Sequence, residues 1–128
     1  MKKILLDTNF ILIPAIFRVD IFSEINRILF SNYELCVLDK TIEELNNMVK
    51  REGRLKQNAK LALSIIKARK IRVITTHSQK YADQLILDTT NKSQYIVATL
   101  DMALKRKLKG KRIPIITMRQ KKYLILAE

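Results

Sequence analysis

Five short runs rich in Ile, Val and Leu constrain the fold more than any other feature of this 128-residue chain. They cover Lys3–Leu6, Leu35–Leu38, Arg72–Thr75, Tyr95–Thr99 and Pro114–Met118. Their apolar character is nearly continuous rather than alternating, as in strands buried on both faces of a parallel sheet. Helical spacing fills the intervals: Ile21, Ile25, Ile28 and Leu29; then Ile42, Leu45 and Val49; then Leu61, Ile65 and Ala68. Gly53 and Gly110, the only glycines, fall where helix C-caps are expected. Strands alternating with helices predict a three-layer α/β/α domain with right-handed crossovers. No linker interrupts residues 1–128, so a single domain is expected.

Two glycines leave no Gly-rich phosphate loop and no dinucleotide fingerprint. One histidine, His77, excludes a multi-histidine metal site, and no serine sits in a nucleophile-elbow context. Cys36 stands alone, so no internal disulfide forms and a buried apolar role is expected. "MKKILL" resembles the start of a signal peptide, but Asp7 interrupts it early. No apolar run approaches the roughly 20 residues that span a bilayer, and a soluble, cytoplasmic protein without membrane contact is expected. The 25 Lys and Arg against 12 Asp and Glu give a formal charge of +13, which favours a polyanionic partner, nucleic acid first.

Against that background each carboxylate is informative. Asp7 interrupts two apolar stretches in "KKILLDTNFILIPAIF", where an unpaired charge costs several kcal/mol or more to bury. Asp101 in "YIVATLDMAL" repeats the design: apolar strand, threonine, carboxylate. Each alone is accounted for as a helix cap. Two at matching strand ends, where α/β sheets gather ligands, would repel unless a cation were shared between them. On helical patterns, Glu44 lies beside the seam Ile42–Leu45–Val49 and could form a capping box with Thr41. Asp83 falls in a first turn, favoured there by the helix dipole, and Asp88 further on is expected to be solvated.

"LLDTNF", "EEL", "YADQLIL" and "YIVATLD" together resemble the PIN-domain family of ribonucleases, in the same order and with similar spacing. "THSQKYAD" and "PIITMRQKKYL" resemble the subgroup associated with small-subunit ribosomal RNA processing. The resemblance implies a PIN-like fold with a parallel five-stranded sheet of order 3-2-1-4-5. It also implies a metal-dependent ribonuclease site with Asp7, Glu44, Asp83 and Asp101 as catalytic acids. Asp7, Asp83 and Asp101 would hold the metal, and Thr8, Asn9 and Thr99 would support them. The ribosomal subgroup carries tandem aspartates where this chain has Asp83 and Gln84, and an acid near Ala103. Gln84 can still offer a neutral oxygen.

Oxygen ligands and phosphoryl chemistry indicate Mg2+ or Mn2+, which would activate water for in-line attack, and the resemblance implies cleavage that leaves a 5′-phosphate and a 3′-hydroxyl. For RNA binding, the sequence offers Lys105, Arg106, Lys107, Lys109, Lys111, Arg112, Arg119, Lys121 and Lys122, with no acid between Asp101 and Glu128. Single-stranded or looped RNA, ribosomal in the first instance, is the expected target. Two other readings stand beside it: the toxin ribonuclease of a toxin–antitoxin pair, and a noncatalytic RNA-binding ribosome-assembly factor. A homodimer, an antitoxin or an assembly partner is compatible with these.

Overall fold

The computed structural model describes residues 1–127. The elements run β1 (Lys2–Leu6), α1 (Thr8–Ile11), α2 (Ile13–Phe17), α3 (Ile21–Ile28), β2 (Tyr33–Leu38), α4 (Asp39–Val49), α5 (Gly53–Ala68), β3 (Arg72–Ile74), α6 (Ala82–Thr89), β4 (Tyr95–Ala98), α7 (Met102–Gly110), β5 (Ile115–Arg119) and β6 (Tyr123–Ala127). The sheet has the order β3-β2-β1-β4-β5-β6. The first five strands are mutually parallel in the expected order; β6 adds an antiparallel edge. β1 lies between β2 and β4, with Ile4 opposite both Leu35 and Ile96. Chain order reverses at β1, so β1 and β4 flank the switch point.

Alternate residues of β1 enter different cores, which is why the strand is apolar throughout. Ile4 and Leu6 pack with Val37, Ile96, Ile116 and residues of α1–α5. Leu5 packs with Cys36, Val97, Ile115 and residues of α6 and α7. Each fully buried Leu or Ile contributes about 1.5–3 kcal/mol. Cys36 is buried as expected, and burial beside Glu34 pushes its thiol up to about 11.

The glycines do not serve as the expected C-caps. Gly53 takes φ +72° at the start of α5, and Gly110 is the last helical residue of α7. The left-handed position after α5 belongs to Lys70 and that after α7 to Arg112. Around Lys70, the Ile71 N–H reaches the Ile66 carbonyl at 3.0 Å and the Lys70 N–H reaches that of Lys67 at 3.2 Å. Around Arg112, the Ile113 N–H reaches Leu108 at 3.0 Å and the Arg112 N–H reaches Lys109 at 2.9 Å. Both are Schellman closures, each followed by a buried isoleucine that anchors the turn.

β6 follows a hairpin whose Gln120 and Lys121 both have positive φ. α3 seals its outer edge. Glu24 accepts the Leu124 N–H at 2.9 Å, Arg27 donates to the Leu124 carbonyl at 2.8 Å, and the two side chains pair at 3.0 Å.

Candidate acidic site at the strand ends

Asp7 and Thr99 leave β1 and β4 side by side, because the ladder continues as the Asp7 N–H bonds the Ala98 carbonyl at 2.9 Å. Asp7 is 8% exposed and Thr99 fully buried. Asp7 Oδ1 accepts the Thr8 N–H at 2.9 Å, capping α1, and Oδ2 accepts the Thr99 hydroxyl at 2.7 Å. The same Thr99 oxygen accepts the Asp101 N–H at 3.1 Å. One hydroxyl therefore bridges the two strand-end acids. Asp101 caps α7 by accepting the Leu104 N–H at 3.0 Å, and Asn9 Oδ1 ties the connecting loop to α1 through the Leu100 N–H at 3.2 Å.

Asp7, Thr8, Asn9, Leu12, Glu44, Ala82, Asp83 and Asp101 line one cavity of about 350 Å³. The four acids come from the end of β1, from α4, from α6 and from the start of α7. Burial raises the pKa of Asp7, opposed by its bonds from Thr99 and Thr8, and the charges of Asp101 and Asp83 raise it further. Burial also raises that of Glu44, Asp7 adds to the effect, and the Thr8 side chain opposes it. Glu44 Oε1 is buried without a hydrogen-bond partner among the described residues. The capping box does not form. Thr41 lies inside α4, 2% exposed, and its hydroxyl shares a 3.0 Å hydrogen bond with that of Thr8.

Asp39, which sequence reasoning did not single out, makes the contrast. Burial would raise its pKa, but the Thr76 N–H and hydroxyl and the Lys40 N–H reverse the sign. Asp39 is fully occupied holding the segment after β3. In the cavity, by contrast, Glu44 Oε1 has no such partner among the described residues.

Other candidates are placed differently. Asp83 Oδ1 accepts the Gln84 N–H at 2.9 Å, and Oδ2 faces Lys107 Nζ at 3.6 Å. The exposed Gln84 side chain turns to Asp88 at 2.9 Å and does not line the cavity. Asp88 also meets Lys80 at 2.9 Å. Among the described residues no set of three or more acids, histidines or cysteines is drawn together tightly enough to chelate an ion as it stands. The nine predicted cations make different contacts. Lys105, Arg106, Lys109 and Arg119 share a groove beside α7, and Lys107 faces Asp83. Lys111 Nζ bonds the Leu87 carbonyl, Arg112 closes α7, and Lys121 and Lys122 border a cavity near α3.

A three-layer α/β domain with an acidic cleft at its switch point defines the general class. The chain belongs to the PIN-like domain family: the family description "PIN like domain" matches residues 4–121. It is 36% identical over 127 residues to "Ribonuclease VapC4" of Methanocaldococcus jannaschii, covering 96% of this chain and 95% of that protein. It is 32% identical over 123 residues to the "rRNA-processing protein FCF1 homolog" of Homo sapiens, spanning 94% of this chain but 59% of that protein. The solved structure of the "PIN domain endonuclease Utp24" superposes with a TM-score of 0.76 at 25% identity, over 97% of this chain and 90% of that one. No helix among the described residues is long and apolar enough to cross a membrane.

Proposed function

We propose that the protein is an endoribonuclease that hydrolyses single-stranded or looped RNA, ribosomal RNA in the first instance, with Mg2+ or Mn2+ at the acidic cleft. The observation that carries this is the gathering of four carboxylates from four elements around one cavity, one of them with a buried, unpartnered oxygen. An all-oxygen donor set suits a hard cation, and the partnerless Glu44 Oε1 is the kind of group a cation satisfies. Asp7, Asp83 and Asp101 would hold the ion, with Glu44 beside them. When bound, it would lower the pKa of a water and neutralise charge developing on the phosphate.

The chain's own residues supply the rest. Thr8 and Thr99 fix both oxygens of Asp7, and the Leu104 N–H fixes Asp101. Asp83 and Lys107 are each about half exposed, and such a pair is worth about 0–1 kcal/mol. An arriving cation or phosphate can therefore separate them, leaving Lys107 free to meet a phosphate. Likeness to the rRNA-processing FCF1 homologue supports ribosomal RNA as substrate, and likeness to the Utp24 endonuclease supports internal cleavage.

The test incubates wild type and Asp7→Asn with structured ribosomal RNA in Mn2+ or Mg2+ and analyses the cut ends. Cleavage giving 5′-phosphates, lost in the variant while RNA binding survives, is expected. Equal cleavage by both proteins would overturn the assignment. The pairing of Asp83 with Lys107 favours a second reading, a noncatalytic RNA-binding assembly factor. It predicts metal-independent binding and intact RNA. Likeness to VapC4 favours a toxin role, which growth arrest on expression would reveal.

A further inference from the structure

The groove beside α7 lies outside the acidic cleft. It encloses about 290 Å³ between α7 and the uncovered face of β5 and β6. Its cations are Lys105, Arg106 and Lys109 from α7 and Arg119 from β5, and among the described residues none of the four pairs with a carboxylate. Its floor is apolar, from Ile115 and Ala127, with the exposed Met102 lining it nearer the surface. Between floor and cations sits Thr117, 5% exposed, whose hydroxyl has no hydrogen-bond partner among the described residues. A buried hydroxyl without a partner is destabilising. Positive charge is crowded here: burial and the nearby Arg119 lower the pKa of Lys105, with Asp101 opposing them only in part.

We infer that this groove binds one or two nucleotides of single-stranded RNA, the cations holding phosphates, the apolar floor a base, and Thr117 a polar edge of that nucleotide. Apolar surface ringed by cations matches the pattern by which single strands are held. Position supports the same occupant. Asp101 lines the cleft and Met102, the next residue, lines the groove, so a strand crossing the cleft continues into the groove around the first turn of α7. This inference rests on the ribonuclease reading for its ligand but not on catalysis.

The experiment measures fluorescence anisotropy of a labelled single-stranded oligoribonucleotide bound to Asp7→Asn protein at several salt concentrations. Lys105→Gln and Arg119→Gln in that background should each weaken binding roughly tenfold and flatten the salt dependence by about one ion. Lys60→Gln, removing an exposed charge from α5 in the opposite layer, should change affinity less than twofold. Thr117→Val is the sharper probe. It should weaken binding several-fold with the salt dependence unchanged, while raising the Tm of the free protein by relieving the orphaned hydroxyl. Equal losses from Lys60→Gln and Lys105→Gln would overturn the inference in favour of a diffuse field. Full affinity in Thr117→Val, or a change of oligomeric state instead of RNA affinity, would overturn it too. Groove-dependent binding by a wild type that never cuts RNA would uphold it while removing the catalytic reading.

Discussion

Replacing Thr99 by valine should loosen the acidic cleft without disturbing its outline. Thr99 is wholly buried, and valine matches its shape but lacks the hydroxyl. Two hydrogen bonds disappear: the one donated to the Asp7 carboxylate at 2.7 Å and the one accepted from the Asp101 N–H at 3.1 Å. A bond to a charged group contributes about 1.5–3 kcal/mol, and a partly buried N–H left without an acceptor adds about 1 kcal/mol. The expected loss is about 2–4 kcal/mol, or a fall in Tm on the order of 10 °C for a domain of this size. The sign with pH is fixed. The hydroxyl favours ionised Asp7, so removing it raises an already raised pKa, and the penalty is largest at alkaline pH and shrinks as Asp7 becomes protonated. Urea titrations at pH 8 and pH 4.5, in wild-type and Asp7→Asn backgrounds, give the coupling directly. A penalty below about 0.5 kcal/mol, or one unchanged by either pH or the Asp7 substitution, would refute the bridging role.

Three further outcomes are expected. Folded Asp7 and Glu44 hold protons that the unfolded chain has released, so their contribution to stability is complete at acid pH and is lost as pH rises through their raised pKa values. Asp7→Asn should flatten that decline in a series of Tm measurements, and an unaltered profile would count against it. Glu44→Gln should raise the Tm of the metal-free protein, reduce the Tm increment given by Mn2+, and slow RNA cleavage at least about 100-fold in a gel assay. Lys70→Gly and Arg112→Gly should each stabilise by about 0.5–1 kcal/mol in chemical denaturation, because both positions have left-handed backbone.

What the sequence disclosed followed physical range. The inner parallel strands were legible because burial on both faces leaves an unbroken apolar signature in a few adjacent residues; β3, a mostly exposed edge strand, carries the same kind of run without that burial. β6 was not recognised, although Tyr123–Ala127 is equally apolar, because its hairpin turns on Gln120 and Lys121 rather than on Asn-Gly or Gly-rich residues. The glycine cap of α7 failed for a related reason: buried Ile113 secures a turn whose left-handed residue is Arg112, while α4 already ends at Lys50, before Gly53. Local spacing placed Asp7 and Asp101 at strand ends, but the hydroxyl that joins Asp7 to its neighbour lies 92 positions away. The meeting of Lys107 with Asp83 and of Thr8 with Thr41 depends likewise on how α6, α7 and α4 dock. Thr41 left one local trace, three residues before Glu44, where the pattern instead suggested a cap.

The grip of Glu24 and Arg27 on Leu124 has a consequence for how these molecules coexist. An unguarded margin of a sheet invites another chain to hydrogen-bond along it, the first step toward ordered aggregates. Here both main-chain groups of Leu124 are already engaged, and at the far margin β3 offers only three residues. Lateral growth of the sheet is thus discouraged from either side. A chain of formal charge +13 can then reach high local density without its strands zipping together.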